Sequence, residues 1–462
     1  MLMERRGQQS LNLVDSTSSI SNNGVKGQTK LGLNDLTLSW QARIGYKAQD
    51  KNCVFTNLMK HINLGTLHEA YKAINGKKAL GVDKISKSDY GKNLDHNLTD
   101  LLDRVQSGRY RPMPKKEVLI PKANGKMRPI AIACFEDKLV DWCVGQILTQ
   151  IYEPLFIRNS FGYRPSKSAH SAIEACYYSL EKGTRSNVIE IDFSNFFNTI
   201  PHKKLIKILE KRINDKRFLG IIRRLLAGDT LKTDGKIDPT LVGTPQGGIA
   251  SPILANIYLN EVLDQWFLKE FGSYNNIIVR YADDAVFFFK DEDDAKSFLE
   301  KLRVRVTEYG IQLNEEKTKQ INLAKRSKES FNFLGFTFYR GKQGSRKILK
   351  VKTEKVKLTK AIKEFSDWIK VNRNRRKLKD LWDLAKAKMT GHLNYYGYWM
   401  NNLKIAHFKF ECEKSMLKWL NRRSQRKSYS LEGFKERLKN FPLTPDLENI
   451  KWKQLGNSFG RI

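Results

Sequence analysis

Cysteine is scarce in this chain, five in 462 residues, and those five are scattered. Positions 53, 134, 143, 176 and 412 give no Cys-x-x-Cys spacing and no paired histidines, so neither a zinc site nor a disulfide framework is indicated. The expectation is a reduced, intracellular protein. No apolar run approaches the length that crosses a bilayer, and Met1 to Lys30 has Ser, Asn and Gly where a signal peptide has its apolar core. Residues 1–30 read as a flexible tail, with too little apolar surface to offset the entropy of ordering. Acidic residues are also short: 49 Asp and Glu face 83 Lys and Arg, a formal net charge of +34. That balance calls for a polyanionic partner. The excess is uneven, because residues 341–462 hold 31 basic against 11 acidic side chains, a net +20.

The acids that do occur fall where they can carry chemistry. Tyr281-Ala282-Asp283-Asp284 lies between two apolar runs, Asn276 to Arg280 and Ala285 to Phe289. This is the pattern of a hairpin with two adjacent carboxylates at its tip. Such neighbours repel unless cations share them, and Mg²⁺ takes a few carboxylates together with substrate phosphates. An Asp-Asp pair in a turn is also an ordinary solvated loop. Asp192 ends Val188-Ile189-Glu190-Ile191, a run with the β-branched content of a buried strand, and opens Asp192-Phe193-Ser194-Asn195-Phe196-Phe197. A metal pair about 4 Å apart draws carboxylates from different strands, which Asp192, Asp283 and Asp284 supply; the alternative for Asp192 is a strand-ending turn residue. Between them lies Gly243-Thr244-Pro245-Gln246-Gly247-Gly248, a glycine-dense turn before the apolar stretch Ile253 to Leu263. It lets backbone approach a base pair, with Gln246 and Gly247 at the nucleotide, or it is structural.

In this order, Asp192 with Phe196-Phe197, then Thr244 to Gly248, then Tyr281 to Asp284 resemble a reverse transcriptase palm, specifically that of the group II intron reverse transcriptase/maturase family, over about Trp40 to Lys427. The resemblance implies an α+β right-hand polymerase with fingers and palm and a helical thumb/X domain. Its divisions are a flexible tail at 1–30, an N-terminal extension and start of the fingers at 31–95, reverse transcriptase fingers and palm at 96–345, a thumb/maturase X domain at 346–427, and a short basic tail at 428–462. Ile120 to Ile130 resembles the fingers hairpin, in which Lys122 and Arg128 hold the incoming triphosphate. Cations are wanted on phosphates that gain charge as pyrophosphate leaves; two exposed cations on a basic hairpin is the other reading. Ser160 to Pro165 with Ser168-Ala169-His170 resembles a signature for packing and template contact. Lys317 is implied near the leaving pyrophosphate as a proton donor, or is a solvated lysine. Phe333-Leu334-Gly335-Phe336 resembles the primer grip, with Leu334 and Gly335 at its turn. Phe193 joins the three aspartates in the implied metal set and the substrate contacts. Phe197 is implied under the sugar, where it would clash with a 2′-hydroxyl, or is plain core.

From Lys355 to Lys427 the apolar spacing is helical, with one stripe at Leu358, Ile362, Phe365 and Ile369 and another at Ile405, Phe408, Cys412 and Met416. Gly391 to Trp399 is aromatic in a basic surround, either core at Leu393, Tyr396 and Trp399 or a thumb surface on duplex. RNA phosphates are expected at Arg373, Arg375, Arg376, Lys377, Arg422, Arg423, Arg426 and Lys427. The implied activity is RNA-directed DNA polymerisation with maturase action in intron splicing and mobility. It implies two Mg²⁺, with Mn²⁺ as a substitute. Partners are group II intron RNA or another RNA template, a DNA primer or target and dNTPs; the location is bacterial cytoplasm, at the nucleoid, and both monomer and dimer stay open. A short basic tail stands where larger members carry a DNA-binding segment and a Cys/His nuclease, so priming from a nick or replication fork is expected. Ile132 to Asp137 lacks the proline usual in the family, which leaves the subclass open. Two other functions remain: a domesticated relative in defence or repair, and a splicing-only maturase, which has no need of three metal-binding acids.

Overall fold

The computed structural model describes residues 39–444 except 122–124, 126, 240–241, 273–274, 325 and 426–427. The expected tail at 1–30, much of that at 428–462, and Lys122, Arg426 and Lys427 lie outside the described residues. In chain order the strands are β1 (Lys115–Pro121), β2 (Met127–Ile132), β3 (Asn187–Ile191), β4 (Thr230–Leu231), β5 (Ile237–Asp238), β6 (Ile277–Tyr281), β7 (Asp284–Phe289), β8 (Lys319–Asn322), β9 (Ser330–Phe333), β10 (Phe336–Gln343) and β11 (Arg346–Thr353).

The palm is an antiparallel sheet in the order β6-β7-β3-β8. Its β6, β7 and β3 strands are largely apolar because both faces are covered, while β8 buries Ile321 alone, and period-two alternation divides the side chains between two cores. Ile189, Ile191, Phe287 and Phe289 join Phe267 and Phe298 on one side. Val188, Val286 and Phe288 join Ile173, Phe331 and Phe338 on the other. Register does the rest: Ile191 pairs with Ala285 and Tyr281 with Asp284, so the end of β3 lies beside the β6–β7 turn. The fingers sheet has the order β2-β1-β4-β5, and a third sheet, β11-β10-β9, packs beneath the palm.

The thumb follows as helices Lys355–Asn372, Leu378–Tyr396, Asn402–Leu420 and Leu431–Asn440. Leu358, Phe365, Ile369, Ile405, Phe408, Cys412 and Met416 are buried in their common core, and Ile362 is partly buried against it. Within the aromatic run Tyr398 is fully buried, and Tyr395, Tyr396 and Tyr398 gather on Phe336 of β10, sealing thumb to palm. The Trp399 side chain lies outside the described residues.

His392, in Leu378–Tyr396, lies flat on Phe408 with ring centroids 3.7 Å apart, and its Nε2 is buried without a hydrogen-bond partner among the described residues. Burial pushes its pKa down to about 3. The unfolded chain therefore binds a proton below about 6.5 that the folded chain refuses, so stability falls as pH drops from about 6.5 toward 3. We expect a loss of up to about 1.4 kcal/mol per pH unit from this one group. His61, lowered to about 4 by burial and by Lys60 and Arg43, adds to the slope. Thermal melts of wild type and His392→Phe across that range isolate the His392 share, and parallel curves would refute it.

Candidate active site

Asp192 directly follows β3. Its carbonyl accepts from Asn314 N (2.7 Å), while Ser194 N donates to the Gln312 carbonyl (2.9 Å), so residues 312–314 pin the strand end from one side. On the other side, pairing of Tyr281 with Asp284 leaves a turn of Ala282 and Asp283 alone. Ala282 has φ 56°, a left-handed conformation that costs a non-glycine residue about 1–2 kcal/mol. Asp283 thus sits in the turn and Asp284 opens β7, a one-residue departure from the tip expected for both.

These acids crowd one another electrostatically. Asp283 is raised from the usual carboxylate range, first by burial and then by the charge of Asp192, against the pull of Arg128 and Arg280. Asp284 is pushed up to about 7 by burial, then by Asp283, Asp192 and Glu190. Its surface is nonetheless open to the cleft, where solvent tempers desolvation, so repulsion among the acids characterises the site. Glu190, two residues before Asp192 and hence on the same face of β3, is also pushed up to about 7, chiefly by burial. Its place as the one acid inside an apolar strand run was the signal for it. The cleft has a volume of about 390 Å³ and is lined in part by Glu190, Asp192, Asp284, Lys317, Leu334 and Lys357.

A hard, all-oxygen donor set in which neighbouring carboxylates help to raise Asp283 and Asp284 fits a divalent cation. As they stand, no three His, Cys, Asp or Glu side chains among the described residues converge closely enough to hold one. Asp192 Oδ2 is instead bound by Lys317 Nζ (2.8 Å) and by Asn314 Nδ2 (3.2 Å). Lys317 therefore neutralises Asp192 in this state and is not a free solvated lysine.

The other expected contacts surround this rim unevenly. Arg128, opposite Ile120 in the β1–β2 hairpin, is exposed. The glycine-dense turn docks on β2: Ala131 N donates to the Gln246 carbonyl (2.8 Å), and at Gly247, with φ +119°, a Cβ would come within 2.8 Å of the Ala131 oxygen. Phe197 is half-buried, its ring 5.6 Å from that of Phe196, and its carbonyl accepts from Thr244 N (2.6 Å). The ring of Phe193 is buried against Phe196, so main-chain atoms are what it leaves for substrate or metal.

The turn of the expected primer grip, Leu334 (φ 49°) and Gly335 (φ 79°), joins β9 to β10 and is held by the thumb. Tyr395 Oη donates to the Leu334 carbonyl (2.9 Å), and a Cβ on Gly335 would lie 2.7 Å from Tyr396 Oη. His170 Nε2 lies 2.9 Å from the Tyr395 carbonyl, so the signature at 168–170 packs on the thumb. The sequence did not point to these tyrosines, because their partners lie some 60 and 225 residues away.

In the thumb the two expected cation clusters become one. Arg373 Nε donates to the Arg422 carbonyl (3.1 Å) and Arg423 Nη2 to the Arg376 carbonyl (3.3 Å). Lys370, Arg373, Lys418 and Arg422 all stand within 6 Å of the Trp419 ring, a cationic aromatic patch. Arg375, Arg376, Lys377 and Arg422 are exposed. Among the described residues no helix is long and apolar enough to cross a membrane.

Residues 120–338 match the family described as reverse transcriptase (RNA-dependent DNA polymerase). Protein YkfC of Escherichia coli (strain K12) is 35% identical over 46% of this chain and 58% of its own length. The protein named uncharacterized 91 kDa protein in cob intron, of Schizosaccharomyces pombe, is 40% identical over 40% of this chain and 23% of its own. Group II intron-encoded protein LtrA of Lactococcus lactis subsp. cremoris is 26% identical over 83% of this chain and 77% of its own. The chain thus spans 58% and 23% of the first two relatives. With fingers and palm inside the matched region and a helical thumb after it, this is a right-hand polymerase fold, and the chain is similar over these stretches to reverse transcriptases and to a group II intron-encoded protein.

Proposed function

We propose that this protein is an RNA-directed DNA polymerase that also binds and helps fold group II intron RNA. The observation that carries it is the placing of Asp192 at the end of β3 beside the β6–β7 turn that carries Asp283 and Asp284, at a cleft lined by Asp192, Asp284, Lys317 and the primer-grip turn. Asp192, Asp283 and Asp284, with main-chain atoms of Phe193, would hold two Mg²⁺, with Mn²⁺ as substitute. Such ions, when bound, lower the pKa of a primer 3′-hydroxyl and neutralise the triphosphate.

The chain's own residues do the remaining work. Lys122 and Arg128 meet the triphosphate from the fingers, Gln246 and Gly247 hold the nucleotide by way of a turn tied to β2, and Leu334 and Gly335 set the primer end. Lys317, whose Nζ stands 2.8 Å from Asp192 Oδ2, would be the proton donor to the leaving pyrophosphate. The thumb patch at Arg373, Arg375, Arg376, Lys377, Arg422 and Arg423 binds RNA phosphates. The setting is bacterial cytoplasm, with intron RNA, DNA target and dNTPs as partners. Extension of a DNA primer on an RNA template tests the polymerase, and splicing of a group II intron RNA with and without the protein tests the maturase; no extension would remove the first claim.

Phe197 is the proposed sugar gate. Phe197→Val should raise ribonucleotide use relative to deoxynucleotide by about 1–3 kcal/mol, the range of steric discrimination for a small group. If the ring only packs, truncation lowers the melting temperature and all activity together, by less than the 3–5 kcal/mol of a wholly buried phenylalanine. Measuring both nucleotide efficiencies and the melt on one variant separates these, and an unchanged ratio ends the gate.

A further inference from the structure

The strained turn that carries the aspartates is held from behind by a buried polar cluster that no family motif assigns. Arg280 and Asp264 are both wholly buried. Arg280 Nε donates to Asp264 Oδ1 (2.8 Å) and Nη2 to Oδ2 (2.5 Å), a two-pronged pair. The remaining nitrogen, Nη1, donates to Asn256 Oδ1 (2.8 Å) and to the carbonyl of Ala282 (2.9 Å), the left-handed residue of the turn. Asn256 in turn donates from Nδ2 to the Gly162 carbonyl (2.7 Å). Gly162 itself lies close against the turn: a Cβ there would stand 2.3 Å from Ala282 N. The backbone of Arg280 is gripped as well, its N–H donating to Asn159 and its carbonyl accepting from Phe161.

The helix beneath is shaped for this. Ser251–Leu259 and Gln265–Glu270 are joined through Asn260–Asp264, a π-helical stretch. Asn256 and Asp264 are eight residues apart, which in a regular α-helix overshoots two turns by about 80°. The wider π turn takes up that angle, so both side chains reach one guanidinium. A desolvated ion pair stabilises a fold little more than apolar residues of the same size would. Its hydrogen bond to a turn carbonyl is something apolar residues lack.

We propose that Arg280, fixed by Asp264 and Asn256, is a positioning residue that enforces the left-handed conformation of Ala282 and thereby aims Asp283 and Asp284 at their cations. The inference rests on the polymerase reading. Misplacing reacting groups by the order of 1 Å costs about 10²-fold in rate, and that is the effect expected here.

The test uses the full chain with Arg280→Met and Asp264→Leu together, so that no charge is left buried alone. Extension of a primer on an RNA template should show kcat down about 10²-fold with KM for dNTP moved less than about threefold. Binding of Mn²⁺, followed by its electron paramagnetic resonance signal without substrate, should weaken. Adding Ala282→Gly, which enters the left-handed region without strain, should recover about tenfold of the rate. General loss of packing predicts no such rescue, so its absence overturns the proposal, as do wild-type kcat and Mn²⁺ affinity in the double variant. If that variant melts below the assay temperature, Asn256→Leu, which leaves the ion pair intact, carries the same kcat and rescue test. Failure of the wild type itself to extend the primer would instead sink the polymerase reading.

Discussion

Asp283→Ala and Asp284→Ala each reduce primer extension by roughly 10³-fold or more, the rate equivalent of about 4 kcal/mol of transition-state stabilisation. Stability moves the other way. Both carboxylates are raised from their usual range, Asp284 to about 7, first by burial and then by the negative charge of their neighbours. Removing one relieves that repulsion, so the metal-free protein melts no lower than wild type and Mg²⁺ no longer raises its melting temperature as far. RNA affinity stays within a few-fold, since the phosphate-binding cations lie on the thumb and fingers. The informative measurement is extension, metal-dependent melting and RNA binding on the same preparation. Extension near wild type would remove the catalytic assignment, and a melt several degrees lower would mean that the acids are structural.

RNA affinity falls about 10³–10⁵-fold between roughly 50 and 200 mM salt if six to ten phosphates are neutralised, because each neutralisation releases counterions. Residues 341–462 alone carry a net +20, and the thumb folds Arg375, Arg376, Lys377 and Arg422 into one exposed surface. Replacing those four by Ala together should lower the slope of log K against log salt by about 3. Primer extension at low salt with saturating template should change little, as none of the four lies at the acids. A slope equal to wild type would assign RNA binding to another face of the molecule.

How far the sequence reaches follows from the range over which each feature is written. Stripes such as Leu358, Phe365 and Ile369, repeating within one helix, and the apolar runs of β3 and β7 are local patterns, and the thumb and palm sheet were legible from them. So was the fact that acids end one strand and begin another. What the sequence left open was the fate of aromatics: Tyr398 is of the same residue type as a surface platform, and only the packing of β10 against the thumb consigns it to the core. Lys317 read as solvated or catalytic, because its ion pair with Asp192 spans 125 positions.

By itself, then, the sequence determined the kind of molecule: strongly basic, with three carboxylates at or beside strand ends and a helical basic end, since composition and short-range periodicity are properties of the chain alone. Tertiary structure alone decided which groups act on which. It set Glu190 beside Asp284, Tyr395 on the Leu334 carbonyl, Arg373 on Arg422 and Arg280 on Ala282, because partners distant along the chain meet only where buried polar groups must find one another once water is excluded.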